Sequence, residues 1–122
     1  MKREEVLNAA AKCVNGDRQE DYGKPEHSFD TIAALWNAYL TGKGNNQAQA
    51  IDAKDVACML ALLKIARIST GHGKSDNWID LAGYAACGGE IQSLMDAAAK
   101  KRQLTSTVGS GAYADKRETC FA

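Results

Sequence analysis

The sequence predicts an all-α protein, a four-helix bundle-like domain with a flexible C-terminal tail. Apolar residues recur every three or four positions through most of the first 100 residues, which is the spacing of a buried helical face. Polar, glycine-containing segments separate these stretches, and no stretch has the alternation of a half-buried strand. The periodicity is lost after Lys101, so we expect a helical domain over residues 1–100 and a tail or partner-docked arm over residues 101–122.

The first two predicted helices are separated by a polar loop. Residues 3–15 carry one apolar face. Pro25 suits the first turn of the second helix, because its missing N–H would have no intrahelical partner there, and the glycine-rich run 42–46 should end that helix. Residues 16–25 hold two glycines and the only proline, so we expect an ordered loop.

The third and fourth predicted helices have different apolar patterns. Residues 52–69 are apolar on nearly every side, which is typical of a helix surrounded by others, so we expect this helix to be central. The fourth helix should run from about Asn77 to near Lys100, with Gly88 and Gly89 as a point where it kinks or splits.

Charge and hydropathy restrict the classes of partner. Fifteen Lys and Arg balance fifteen Asp and Glu, so nothing draws the whole chain toward a nucleic-acid polymer or a membrane surface. No run reaches the about 18 apolar residues of a membrane span, and residues 1–5 are charged where a signal peptide is apolar. We therefore expect a cytoplasmic protein.

The four cysteines do not form a zinc motif. Cys13, Cys58, Cys87 and Cys120 are far apart, without a CxxC or Cys/His pair at ligand spacing. In a reducing cytoplasm they should be thiols, and no structural cofactor is expected.

Two basic residues interrupt the apolar third helix. Lys64 and Arg67 are one turn apart on the same side, and burying two like charges without anionic partners would be costly. They either pair with Asp76 or Asp80, or extend their stems to water. Alternatively, they bind the phosphate of a nucleotide.

Asp76 and Asp80 lie four residues apart at the start of the fourth helix, so they share one side of it. As structural residues they would favour the helix dipole, and the small residues that follow, such as Gly83, would allow close helix packing. As functional residues they would face a groove, where carboxylates hold Mg²⁺ or hydrogen-bond a ribose or base.

The first loop combines charge with an aromatic ring. Asp17, Arg18, Tyr22 and Lys24 are suited to stacking a base while contacting a phosphate. Equally, Asp17 and Arg18 form a structural pair that pins the loop.

The remaining aromatic residues and the histidines favour structural roles. Phe29, Trp36, Tyr39 and Trp78 have helical spacing, so we expect them in the core or in an oligomer interface. His27 and His72 are not next to a nucleophile motif, and no catalytic residue is predicted from them.

Taken in order, several motifs resemble a known domain family. They are GDR at 16–18, YGKP at 22–25, LLKIAR at 62–67 and DNWIDLAGYAACGGE at 76–90. Over about residues 5–95 the chain resembles a domain of unknown function found in tailed phages and prophages. This resemblance implies a phage protein in the bacterial host cytoplasm.

A more distant resemblance points toward nucleotides. The run Asp21-Tyr22-Gly23, the Lys64–Arg67 pair and the series Asp76, Asp80 and Tyr84 are similar in kind and order to motifs of nucleotide-modification-associated phage proteins. This similarity implies a nucleotide site and adds one residue to the candidates. The full predicted ligand set is Asp17, Arg18, Tyr22, Lys24, Lys64, Arg67, Asp76, Asp80 and Tyr84.

The chain is also similar to the all-helical MazG-type nucleoside triphosphate pyrophosphatases, whose paired helices carry ExxE and ExxD sets that hold Mg²⁺. The corresponding acids here are Asp52 and Asp55 on one helix and Asp76 and Asp80 on the next. They depart from that pattern, with aspartates for glutamates and a spacing of four in the second pair. Shorter acids must approach more closely to share an ion.

Three functions follow as hypotheses. The preferred one is a protein that binds, and by binding sequesters, a small nucleotide or nucleotide-derived signalling molecule as an anti-defence sponge. The second is a Mg²⁺-dependent pyrophosphatase that uses the four aspartates. The third is a protein–protein interaction module. A homo-oligomer is expected in addition, since Trp36, Trp78 and the small-residue stripe offer much apolar surface.

Overall fold

The computed structural model describes residues 1–16, 20, 23–45, 48–71 and 74–106. These residues form four helices and no strand, which confirms the all-α fold. The helices are α1 (Arg3–Asn15), α2 (Pro25–Gly42), α3 (Ala53–Ser69) and α4 (Ser75–Ser106). In this part of the chain no helix is long and apolar enough to cross a membrane.

The first three helices begin and end where the sequence predicts. Pro25 occupies the first turn of α2. Asp52 caps α3 through a reciprocal pair of hydrogen bonds. The Asp55 N–H donates to Asp52 Oδ1 at 2.8 Å, and the Asp52 N–H donates to Asp55 Oδ2 at 3.0 Å.

The fourth helix is longer than predicted. It is continuous through Gly88 and Gly89 and ends at Ser106, six residues beyond Lys100. Its last turns read AAAKKRQL, a run of strong helix formers that favours continuation even without a packing partner. The tail expected from residue 101 therefore begins as helix, and residues 107–122 lie outside the described part.

Helix α4 lies at the centre of the bundle, where it contacts α1, α2 and α3. A Cβ added at Gly88 would lie 3.2 Å from the Cβ of Ala57, and Asp80 of α4 meets Lys64 of α3. Residue numbers on α4 fall as those on α3 rise, so the two helices are antiparallel. The prediction that residues 52–69 form the central helix is wrong.

Only one side of α3 is covered by the rest of the chain. Ala53, Val56, Ala57 and Lys64 face inward. The opposite side, which we call the outward face, is exposed and consists of Cys58, Met59, Leu62, Leu63, Ile65 and Ala66. The apolar pattern of residues 52–69 predicted a helix surrounded by other helices of the chain. In the described structure the other helices cover only one side of α3.

The core is built largely from small residues. Its buried cluster comprises Phe29, Ala33, Ala53, Val56, Ala57, Cys87 and Ile91. Trp36 packs against this cluster, as expected of a core aromatic. By contrast, Tyr39 and Trp78 are exposed. Small side chains allow the helix axes to approach closely at these positions.

One side chain fixes the approach to α3. The Asn37 Nδ2 donates to the Ile51 carbonyl at 2.8 Å, and the Ile51 N–H donates to Asn37 Oδ1 at 2.9 Å. This pair imitates a two-stranded backbone bridge and joins α2 to the segment before α3. Because Ile51 directly precedes the Asp52 cap, this pair holds the start of α3 against α2.

Candidate ligand-binding site

A cavity of about 390 Å³ opens between α1, α2 and α4, and Leu60 of α3 also lines it. We call it the aromatic cleft and define it by Phe29, Ile32, Leu60, Asp80, Gly83 and Tyr84 in its lining. Its size is at the lower end of the range for small-molecule sites, and its walls are mostly apolar with few polar groups. Its apolar walls and aromatic side chains suit a flat ring.

Two aromatic rings shape one side of the cleft. The ring centroids of Phe29 and Tyr84 are 6.5 Å apart and their planes are inclined by 48°, a tilted arrangement that aromatic pairs favour. On the same helix as Tyr84, a Cβ at Gly83 would lie 3.4 Å from Val14 Cγ1. Gly83 therefore packs closely against Val14 of α1 on that side of the cleft.

Asp80 supplies the only charged side chain among the described residues that line the cleft. Its Oδ2 is 2.9 Å from Lys64 Nζ, and the two side chains are only 21% and 11% exposed. This is the Lys64–Asp80 ion pair that the sequence offered as a structural role for Lys64. The charge of Lys64 is therefore already matched within the protein. The second carboxylate oxygen of Asp80 has no partner among the described residues, which leaves an acceptor at the cleft wall.

Arg67 and Asp76 lie at the end of the bundle beyond this pair. Both are exposed, and neither forms an ion pair with the part of the chain that the structure describes. Leu60, Lys64 and Arg67 follow at spacings of four and three, so they share one side of α3. Arg67 therefore lies on the cleft side of α3, about 10 Å along the helix from Leu60.

Lys24 belongs to a neighbouring cavity. That cavity, about 520 Å³, is lined by small residues of α1 and α4, such as Ala11 and Ala86, with Lys24 and Glu90 among the charged residues of its lining. Lys24 lines this cavity and not the aromatic cleft, although the two cavities share Val14, Pro25 and Cys87. The predicted residues Asp17, Arg18 and Tyr22 lie outside the described residues.

The four aspartates predicted to hold Mg²⁺ do not converge. Asp52 and Asp55 bond each other at the N-terminus of α3. Asp80 meets Lys64, twelve residues beyond Asp52, which is about 18 Å along the helix. Among the described residues no group of three or more His, Cys, Asp or Glu could hold a metal ion. Antiparallel packing places the two pairs at opposite ends of α3.

Sequence reasoning identified the polar residues of the cleft but missed its apolar walls. Ile32, Leu60 and Ile79 have the spacing of ordinary core residues, and Phe29 was expected in the core or in an oligomer interface. Helical periodicity gives the same signal for a residue in a filled core and for one beside a cavity. No pattern in the sequence separates these two cases.

The fold and the cleft define a class of protein, a small all-α protein with an interhelical cavity that is lined by Asp80 of the Lys64–Asp80 ion pair. Within this class the chain belongs to the family described as Domain of unknown function (DUF6378), whose model matches residues 5–92.

Two phage proteins are similar to the chain. The Gene 55 protein of Mycobacterium phage L5 is 39% identical over 80 residues, covering 66% of this chain and 47% of the relative. The Gene 55 protein of Mycobacterium phage D29 is 38% identical over 85 residues, covering 69% and 51%. The chain thus spans about half the length of these curated relatives.

The phage relatives confirm the resemblance to a phage domain family. No solved structure matches the chain significantly. The names of the relatives carry no activity, so the similarities to nucleotide-modification proteins and to MazG-type enzymes stay predictions.

Proposed function

We propose that this protein binds a small nucleotide-derived molecule in the aromatic cleft and sequesters it without chemical change, in the manner of an anti-defence sponge. The observation that supports this proposal is the combination of an apolar, ring-lined cavity with the Lys64–Asp80 pair at its wall. The cavity suits a base or nucleoside, and the pair supplies the fixed polar contact that orients it.

The charges suggest how such a ligand would lie. Because Asp80 neutralises Lys64, the wall of the cleft offers no net positive charge to a phosphate. The free acceptor of Asp80 instead suits an N–H or O–H of a base or ribose. The phosphate would then point toward Arg67, which is exposed, on the same side of α3, and able to bind oxygen atoms in a bidentate way.

No observation favours the metal-dependent alternative equally. Asp52 and Asp55 are already hydrogen-bonded to one another as a helix cap, and Asp80 is occupied by Lys64. The described residues therefore offer binding groups for a nucleotide but no assembled Mg²⁺ cluster.

We also propose that the protein functions as a homo-oligomer, because much apolar surface of α3 is left uncovered within one chain.

The test is to incubate the purified protein with nucleoside triphosphates, cyclic oligonucleotides and cyclic ADP-ribose isomers in the presence of Mg²⁺, and to compare chromatograms before and after heat denaturation. A compound that disappears and returns intact has been bound, as we expect. A new product that requires Mg²⁺ would instead support the pyrophosphatase, and an unchanged panel would contradict the proposal.

The placement of the phosphate has its own test. Arg67→Ala should weaken binding of a phosphate-bearing ligand about 10- to 100-fold, since a charge-assisted hydrogen bond contributes about 1.5–3 kcal/mol. Arg102→Ala is the matched control, because Arg102 is equally exposed but lies near the far end of α4. Equal affinities of the two variants by isothermal titration calorimetry would remove Arg67 from the site.

A further inference from the structure

The outward face of α3 is an apolar surface without a partner in the described structure. Four of its large side chains are exposed, Met59 by 42%, Leu62 by 60%, Leu63 by 44% and Ile65 by 47%. Cys58 and Ala66 are exposed between them. Together they form an exposed apolar surface along one side of α3, and a continuous surface of this kind can mark an interaction site.

The spacing of these residues fits another helix. Met59, Leu62 and Ala66 follow at intervals of three and four, as do Cys58, Leu62 and Ile65. Such rows form ridges that pack into the grooves of a facing helix. Leu62 belongs to both rows and therefore lies at the middle of the face.

The charge pattern is compatible with pairing between two identical faces. Between Cys58 and Ala66 the only charged residue of α3 is Lys64, which faces inward and is held by Asp80. The outward face itself carries no charge, so two identical faces meet without repulsion. A surface that can pair with itself is what a two-fold dimer requires, since the same residues occur on both sides.

We propose that the outward face of α3 packs against the same face of a second copy of this chain, with Leu62 near the two-fold axis. A stable interface buries about 800 Å² on each partner around an apolar centre, and the four large exposed side chains of this face supply such a centre. This inference does not depend on the ligand proposed for the aromatic cleft.

The experiment measures mass by light scattering after size-exclusion chromatography at micromolar protein. The wild type should have twice the 13.1 kDa of one chain. Leu62→Glu should give the single-chain mass, because it places two carboxylates opposite each other at the axis. Leu62→Met should keep the dimer, and so should Leu104→Glu, which alters a leucine that is 73% exposed near the end of α4.

The alternatives are distinguishable. A wild-type monomer, or a dimer that survives Leu62→Glu with full helicity in circular dichroism, overturns the proposal. If Leu62→Glu does not fold, Ile65→Lys provides the same test on another row of the face. Ligand retention by the monomeric variant would separate the dimer from the binding site, because the aromatic cleft lies on the inward side of α3.

Discussion

Lys64 shows how a single residue can serve the fold and the proposed site together. It lies on the buried side of α3, where a charge without a partner would lose its hydration. Asp80 provides that partner and also lines the aromatic cleft. The pair therefore joins α3 to α4 at the height where a ligand would bind.

At this scale we predict that Asp80→Ala lowers the free energy of unfolding by about 2–3 kcal/mol, because it leaves the Lys64 ammonium buried and unpaired. The double variant Lys64→Met with Asp80→Leu should return to within about 1 kcal/mol of wild type, since an apolar pair of similar volume has no charge to desolvate. Urea unfolding followed by circular dichroism measures both.

Asp96→Ala is the control for this cycle. Asp96 is exposed on the same helix and accepts one hydrogen bond from Gln92, so its loss should cost about 0.5 kcal/mol or less. A cost for Asp80→Ala no larger than that of Asp96→Ala would mean that the ion pair does not stabilise the fold.

At the scale of the elements, the close approach of α3 and α4 depends on missing side chains. Gly88 meets Ala57 across the two helices, whereas a Cβ at the adjacent Gly89 would find open space. Both glycines interrupt a long helix and carry the same backbone cost there. They therefore provide a matched pair in which only the packing environment differs.

We predict that Gly89→Ala stabilises the protein by about 0.5–1 kcal/mol through helix propensity alone. Gly88→Ala gains the same propensity but places a methyl group 3.2 Å from the Ala57 Cβ, so the helices must move apart. It should be less stable than Gly89→Ala by about 1 kcal/mol. Equal melting temperatures for the two variants would contradict close packing at this position.

The helix boundaries follow from local chemistry and were largely predictable. Pro25 at the first turn of α2 and the Asp52 cap of α3 act through the backbone next to them. The end of α4 was not predicted correctly, because the loss of apolar periodicity after residue 100 was mistaken for the end of the helix. A helix of good formers can continue beyond its packing partners, and the pattern reports only the partners.

At the scale of the whole molecule, the proposed pairing of the outward faces of α3 would make stability depend on assembly. A dimer that unfolds to two chains is favoured by concentration through mass action. We predict that the melting temperature of the wild type rises by about 2–4 °C for each tenfold increase in protein concentration. Differential scanning calorimetry over two decades of concentration measures this dependence.

Leu62→Glu should remove the concentration dependence while Leu62→Met keeps it. A melting temperature of the wild type that is independent of concentration would show that a single chain is the folded unit. The sequence predicted an oligomer from Trp36, Trp78 and the small-residue stripe. Trp78 is exposed, whereas Trp36 packs in the chain's own core and Gly83 and Gly88 of the stripe meet Val14 and Ala57. Further uncovered apolar surface lies on the outward face of α3, and the oligomer stays a prediction.

By itself the sequence determined the all-α fold, the bounds of the first three helices and the polar residues worth testing, because these depend on periodicity, caps and charge within a few positions along the chain. Only the tertiary structure decided which helix is central, which charges meet and where a cavity remains. Asp52 and Asp80 were both plausible metal ligands until antiparallel packing placed them at opposite ends of α3. Distances between helices depend on how side chains of different size pack, and that information is not local.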